Sequence, residues 1–280
     1  MFWKSTYNEF IKIVAKPRSY IGLAVITALV GVFLFAMKVD GNKYISIMTA
    51  SFEQSIAFQG NLLNGNMMAY LVLQMLIVHI PLLVALVTGD LVSGEAAMGT
   101  LRMLATKPIS RTNLLMSKFL AGNIYTLIIL IWFCVMALGF GLLLFGTGDL
   151  VIFNSEGLVI LPGSDVLWRF FSGFIIAYLA LVTVANLSIT LSCFTDNSIG
   201  PIVITMAIII FFTIIGNLDV PVFDSVKPFL FTTHMVAWRS FFDEPVRTKE
   251  IMNAVLVLSV HILTLIGIAL YKFNRKDILS

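Results

Sequence analysis

Of the 280 residues, 59% are hydrophobic and only 12% are charged, and the mean hydropathy is +0.98. A soluble domain carries about a quarter charged residues, so composition excludes a soluble enzyme or binding module and points to an integral membrane protein. The net charge of +3 comes from scattered basic residues rather than a stripe, which argues against a nucleic-acid partner, and Cys134 and Cys193 both lie in apolar runs, implying neither a disulfide framework nor a metal site.

In chain order, residues 1–19 come first. Trp3, Tyr7, Phe10, Ile11 and Val14 recur at helical spacing, and Ser5, Glu9, Lys12 and Lys16 share the opposite side. That pattern predicts an interfacial helix with aromatics at headgroup depth and lysines toward water and anionic lipid. A solvated N-terminal helix is the plainer alternative. The charges of this segment are spread too widely for a cleaved signal, and Pro17 marks a bend into the first span.

A spanning helix needs roughly 20 mainly apolar residues. Six segments qualify, at 20–38, 67–89, 118–146, 167–194, 198–217 and 251–271. Residues 1–19, 90–118, 195–197 and 272–280 hold eleven Lys/Arg against five Asp/Glu, and the opposite side holds seven against ten. By the positive-inside rule the first side is cytoplasmic, with both termini inside. The expected fold is therefore an all-α, multi-pass protein of the cell (inner, cytoplasmic) membrane, forming one domain over 1–280.

Two segments on the outer side are longer than simple connections. Residues 39–66 include "SFEQSIAFQGNLLNGN", a short amphipathic helix ending at Gly60 or Gly65 on this reading. Residues 218–250 are apolar but broken by Pro221, Pro228 and Pro245, which fits a re-entrant or interface-bound helical hairpin. Phe229, Phe231, Trp238, Phe241 and Phe242 are placed at the outer boundary, as an aromatic belt or as cargo contacts.

Between the second and third spans lies the longest cytoplasmic loop, 90–117. The spacing predicts a helix from about Gly94 to Thr106, with Ser93 as cap and Glu95 in the first turn, where a carboxylate suits the helix dipole. Ala97, Leu101, Leu104 and Ala105 share one face, and Glu95, Gly99, Arg102 and Thr106 the other. Lys107–Pro108 ends the helix, and Ser110 caps the next, through Arg111 and Lys118. Asp90, at the head of the loop, either braces it by pairing with Arg102, Arg111 or Lys118 or is a solvated end-cap. From spacing alone the loop reads equally as a docking protrusion or as an ordinary basic connection.

The stretch "SGEAAMGTLRMLATKPISRTNLLMSKFLAG" resembles the signature of ABC-2-type transporter permeases. The resemblance rests on Glu95, the Gly99–Thr100–Leu101 step, the Pro108–Ile109–Ser110–Arg111 turn and Lys118. It implies that this segment, Arg102 included, is a coupling helix docked on a separate ABC ATP-binding subunit. It further implies a dimer with a second permease copy or paralogue, ATP and Mg held by the partner subunit, membrane lipid as surroundings, and room for accessory proteins outside. Export is the implied direction, by alternating access. The apolar spans suggest an amphipathic or hydrophobic cargo.

The remaining residues fit that division of labour. No G-x-x-x-x-G-K-[ST] occurs, so ATP hydrolysis is not expected in this chain. His79 and His261 lie within spans, where a neutral histidine bonded to a neighbouring helix is the plainer reading. Asn123, Asn186, Ser188, Thr190 and Ser192 bridge helices or line a path. The competing class is an intramembrane protease or acyl transferase using Asp90, Glu95 and His79; a scaffold without transport function is a third reading.

Overall fold

The computed structural model describes residues 2–49, 62–76, 79–100, 109–154 and 157–276. Residues 50–61 of the segment 39–66, where the short amphipathic helix is expected, lie outside these residues, as do Leu101, Arg102 and Pro108. Helices α1 (Phe2–Ala15), α2 (Arg18–Thr49), α3 (Gly65–Leu76), α4 (His79–Thr88) and α5 (Ser93–Ala97) come first. Next is α6 (Arg111–Cys134), which runs through a π-turn at Val135–Gly139 into α7 (Phe140–Phe145). A β-hairpin, α8 (Gly163–Ser192), α9 (Gly200–Asn217), α10 (Pro221–Asp224), α11 (Phe231–His234) and α12 (Thr248–Arg275) complete the order.

Among the described residues, six helical stretches are long and apolar enough to cross a membrane: Arg18–Ile47, His79–Ala97, Arg111–Phe145, Gly163–Ser192, Gly200–Asn217 and Thr248–Arg275. The number agrees with the sequence, and the bounds differ. Helix α2 continues well past residue 38, and its 32 residues reach about 48 Å at 1.5 Å each, against a hydrocarbon core of about 30 Å. Lys38, at the end of the expected span, donates to Leu144 O at 2.8 Å, satisfying a carbonyl at the end of α7. Gly146, at φ +74°, then stops that helix in the left-handed conformation that suits glycine.

A close approach explains where α3 begins. A Cβ on Gly65 would sit 2.5 Å from Leu142 Cα and 2.7 Å from the carbonyl oxygens of Gly141 and Gly146. Only a glycine lets these backbones meet, and Gly65 N donates to Gly146 O at 2.8 Å. On either side, Asn64 Nδ2 donates to Asp149 O at 2.8 Å and Asn66 Nδ2 to Gly148 O at 2.7 Å.

Between α7 and α8 the all-α expectation is corrected. Strands β1 (Leu150–Asn154) and β2 (Gly157–Leu161) pair antiparallel, with Leu150 opposite Leu161 and Asn154 opposite Gly157. Each strand is a short continuous apolar run, which periodicity cannot distinguish from a piece of helix.

The segment 218–250, expected on the outer side, also differs in form. It is not a helical hairpin but a series of single turns, with Pro221 and Pro228 each opening one, where a missing N–H costs nothing. Phe229 is exposed, but Phe231, Trp238 and Phe242 are buried. Trp238 and Phe242 pack edge-on to each other and against Tyr70. The segment is fastened by Arg169 of α8, only 4% exposed, which donates to Phe241 O, Asp243 O, Asp165 and Glu244.

Helix α8 is the hub of the bundle, packed against α4, α6, α9 and α12. Its polar residues are buried between neighbours. Ser188 Oγ donates to Ala85 O at 3.2 Å and Thr190 Oγ1 to Leu265 O at 3.1 Å. The histidines differ from expectation. His261 Nδ1 meets Val257 O of its own preceding turn at 2.8 Å, not a neighbouring helix, and His79 Nδ1 meets Met75 O at 3.2 Å.

Candidate functional site

Helix α1 meets the rest of the protein through its polar face. Trp3, Tyr7, Ile11 and Val14 are exposed, whereas Ser5, Thr6, Glu9 and Ile13 are buried. The expected helix is present, but its polar face is turned inward onto α6 rather than out to water. Ser5 Oγ and Ser117 Oγ are 3.0 Å apart. One turn further along α1, Glu9 meets Lys118.

Lys118 is the reason for this orientation. It is 0% exposed, and a lone buried ammonium costs several kcal/mol. Its Nζ lies 2.6 Å from Glu9 Oε2 and 2.6 Å from Glu95 Oε2. The second oxygens of the same carboxylates hold Lys12, at 2.6 Å from Glu9 Oε1 and 2.8 Å from Glu95 Oε1. Two carboxylates and two ammoniums thus alternate in a closed, neutral ring that ties α1, α5 and α6 together. Burial pulls the Lys12 pKa down, but hydrogen bonds to Glu9 and Glu95 and their charges outweigh this and raise it above 10.5. A raised lysine pKa gives stability that is present below the ordinary lysine range and fades only as pH climbs through the folded value. The ring therefore keeps Lys12 charged at physiological pH.

A second cluster lies beside the first. Asp90 Oδ2 is 2.8 Å from Lys16 Nζ and 3.1 Å from Arg18 Nη1, and Asp90 Oδ1 accepts from Ser198 Oγ. Of the partners expected for Asp90, Lys118 is taken by the ring and Arg111 donates to Asn274 O and Lys276 O at the end of α12, while Arg102 lies outside the described residues. Gly94 packs its backbone directly on the Asp90 carboxylate, leaving no room for a Cβ.

The loop itself departs from its expected form. Among the described residues its first helix covers Ser93–Ala97, and Gly99, at φ +71°, interrupts the helix expected to run unbroken from residue 94. A left-handed residue cannot propagate a right-handed helix. Ser93 is not a side-chain cap: its Oγ donates to Gly89 O, while the N–H groups of Val92 and Ser93 both donate to Ser192 Oγ on α8. Glu95 faces the ring rather than the outside. Met98 is 63% exposed, and around Gly99 there is open space. Thr100 Oγ1 donates to Glu95 O at 3.2 Å. Ser110 does cap α6, accepting from Asn113 N at 3.2 Å.

The structure thus brings Glu95 and Lys118 into one ring and Asp90 into its neighbour, and leaves Arg111 with α12. Asn123 and Asn186 join neither cluster. Tyr178 OH donates to Asn123 O at 3.2 Å, while Asn186 offers a buried amide with no partner among the described residues. Glu9, Lys12, Lys16, Arg18 and Ser198 complete the two clusters, and sequence reasoning did not place them there. Their signal was the polar face of α1, with Glu9, Lys12 and Lys16 at helical spacing.

A family profile described as a protein of unknown function, DUF2705, matches residues 22–279. The chain belongs to that family. No curated protein matches it. The family description assigns no activity, so the chemistry of the two ion clusters and of the exposed turn beside them carries the functional reading.

Proposed function

We propose that the chain is the permease subunit of an ATP-driven, ABC-2-type exporter. In this reading it works as a dimer in the cell membrane, with both termini cytoplasmic. A separate ATP-binding subunit holding ATP and Mg docks on the turn after α5. The observation that carries the reading is the ring of Glu9, Lys12, Glu95 and Lys118. A force applied at Met98–Thr100 passes within one helical turn to Glu95. From there it reaches α1 at the membrane surface and α6 inside the bundle. Glu95 and Lys118, named for coupling on sequence, then act by positioning, and the docking contact falls to Met98, Gly99 and Thr100.

The same geometry weighs against an intramembrane enzyme. Asp90 and Glu95, the carboxylates such chemistry would use, are each held by two cations, and His79 is engaged with Met75 O. The mostly exposed apolar faces of α9 and α12 suit lipid or a second copy, and they favour an amphipathic or hydrophobic cargo.

Co-purification tests the proposal. Wild-type chain solubilised from its native membranes is expected to bring down a nucleotide-hydrolysing subunit. A Met98→Asp, Gly99→Trp variant should recover at least about tenfold less of it while its own melting curve shifts by only a few degrees. Equal recovery by the two chains, or none by either from intact complexes, would remove the coupling assignment.

A further inference from the structure

Both ion clusters border one cavity of about 550 Å³. Lys16 and Arg18 line it on one side, and Ile13, Val87, Leu91 and Met98 supply apolar wall. Its size falls within the range of small-molecule sites, roughly 300–1,000 Å³.

Charge decides what such a space accepts. The ring of Glu9, Lys12, Glu95 and Lys118 is neutral by itself. The second cluster sets Lys16 and Arg18 against Asp90 alone and keeps one net positive charge. Arg18, its side chain 36% exposed, pairs through Nη1 with Asp90 at 3.1 Å, but that buried nitrogen makes no well-aligned hydrogen bond among the described residues. A buried donor left unmade costs about 1–3 kcal/mol. Arg18 also opens α2, whose 32 residues direct the positive end of a long helix dipole at the same place. One negative charge with several acceptor oxygens would satisfy the donor and balance the cluster together.

The apolar walls and the setting identify the bearer of that charge. Trp3, Tyr7, Ile11 and Val14 are exposed on the far face of α1, the composition of a helix lying at headgroup depth. A ligand reaching Arg18 beside that helix comes from the lipid, and the wall of Ile13, Val87 and Leu91 suits its glycerol and first methylenes. We propose that the cavity between α1 and α4–α5 binds a monoanionic phospholipid, with its phosphodiester on Arg18 and Lys16 and its apolar part against Ile13, Val87, Leu91 and Met98. This goes beyond the permease reading and does not depend on it.

The test is thermal unfolding of the full chain in a neutral detergent. Dioctanoyl phosphatidylglycerol should raise Tm by about 5 °C at saturation. Dioctanoyl phosphatidylcholine should give less than half of that, and inorganic phosphate at the same concentration no shift. Arg18→Gln removes the positive charge and the guanidinium fork, and Ala15→Phe fills the cavity from an exposed wall position without replacing a residue of either cluster. Both variants should lose the shift, each measured against its own ligand-free Tm. Retention of the full shift by either variant would overturn the site, as would its absence in the wild type. A full shift with phosphate alone would make the ligand a free anion rather than a lipid, and an equal shift with phosphatidylcholine would overturn the selection for net charge.

Discussion

Replacing Lys118 by Met lowers the stability of the detergent-solubilised protein by about 3–5 kcal/mol. The size follows from the ring. Lys118 is 0% exposed and holds two carboxylates, Glu9 and Glu95, which are 4% and 7% exposed. Removing the ammonium leaves Lys12, itself partly exposed, as the one cation of the ring between two buried negative charges. Breaking a buried pair costs far more than replacing all of it with neutral groups. The triple variant Lys118→Met, Glu9→Gln, Glu95→Gln should therefore recover at least half of the loss, a non-additivity expected of contacting residues. A loss under about 1 kcal/mol for the single variant, or additive losses across the series, would mean that the four charges do not act as one unit.

Truncating Trp238 to Ala is expected to cost a similar amount, about 3–5 kcal/mol. Trp238 is 0% exposed, with ring centroids of Tyr70 and Phe242 each 5.8 Å away. It fills the junction of α3, α8 and the segment 218–250, and an alanine there leaves a cavity that the fixed turns cannot close. Its Nε1 has no hydrogen-bond partner among the described residues, so Trp238→Phe forfeits no such bond and should stay within about 1.5 kcal/mol of wild type. Urea or thermal unfolding in detergent measures both. If Trp238→Ala changed stability by less than about 1 kcal/mol, the residue would belong to a surface aromatic belt and not to the core.

How far the sequence could be read depended on the kind of signal. The six apolar stretches were legible because each carries about twenty residues of one character. Pro17 and Ser110 were legible because their effect is local: one precedes the start of α2 at Arg18, and the other caps α6. The β-hairpin was not, since "LVIFN" and "GLVIL" are too short to show a period. Trp238 and Phe242 read as boundary aromatics because proline spacing suggests an irregular segment but not what it packs against. The candidate site was half visible. Glu95 and Lys118 stood out inside one contiguous signature. Their counter-charges lie on α1, 86 positions before Glu95 in the case of Glu9, and nothing local pairs them. The inward turn of the polar face of α1 is a tertiary outcome: a buried Lys118 needs two carboxylates, and α1 supplies the second.

Site-directed cross-linking is the most direct test of the docking assignment. Met98→Cys places a thiol on the exposed turn, at a position 63% exposed in the native chain, while Cys193 is buried and Cys134 half-buried. Treated with a short bifunctional maleimide in native membranes, the variant should form one covalent adduct with an ATP-binding subunit, absent from the wild-type chain. A thiol at position 98 that labels fully with a monofunctional maleimide yet forms no such adduct in intact membranes would contradict the account.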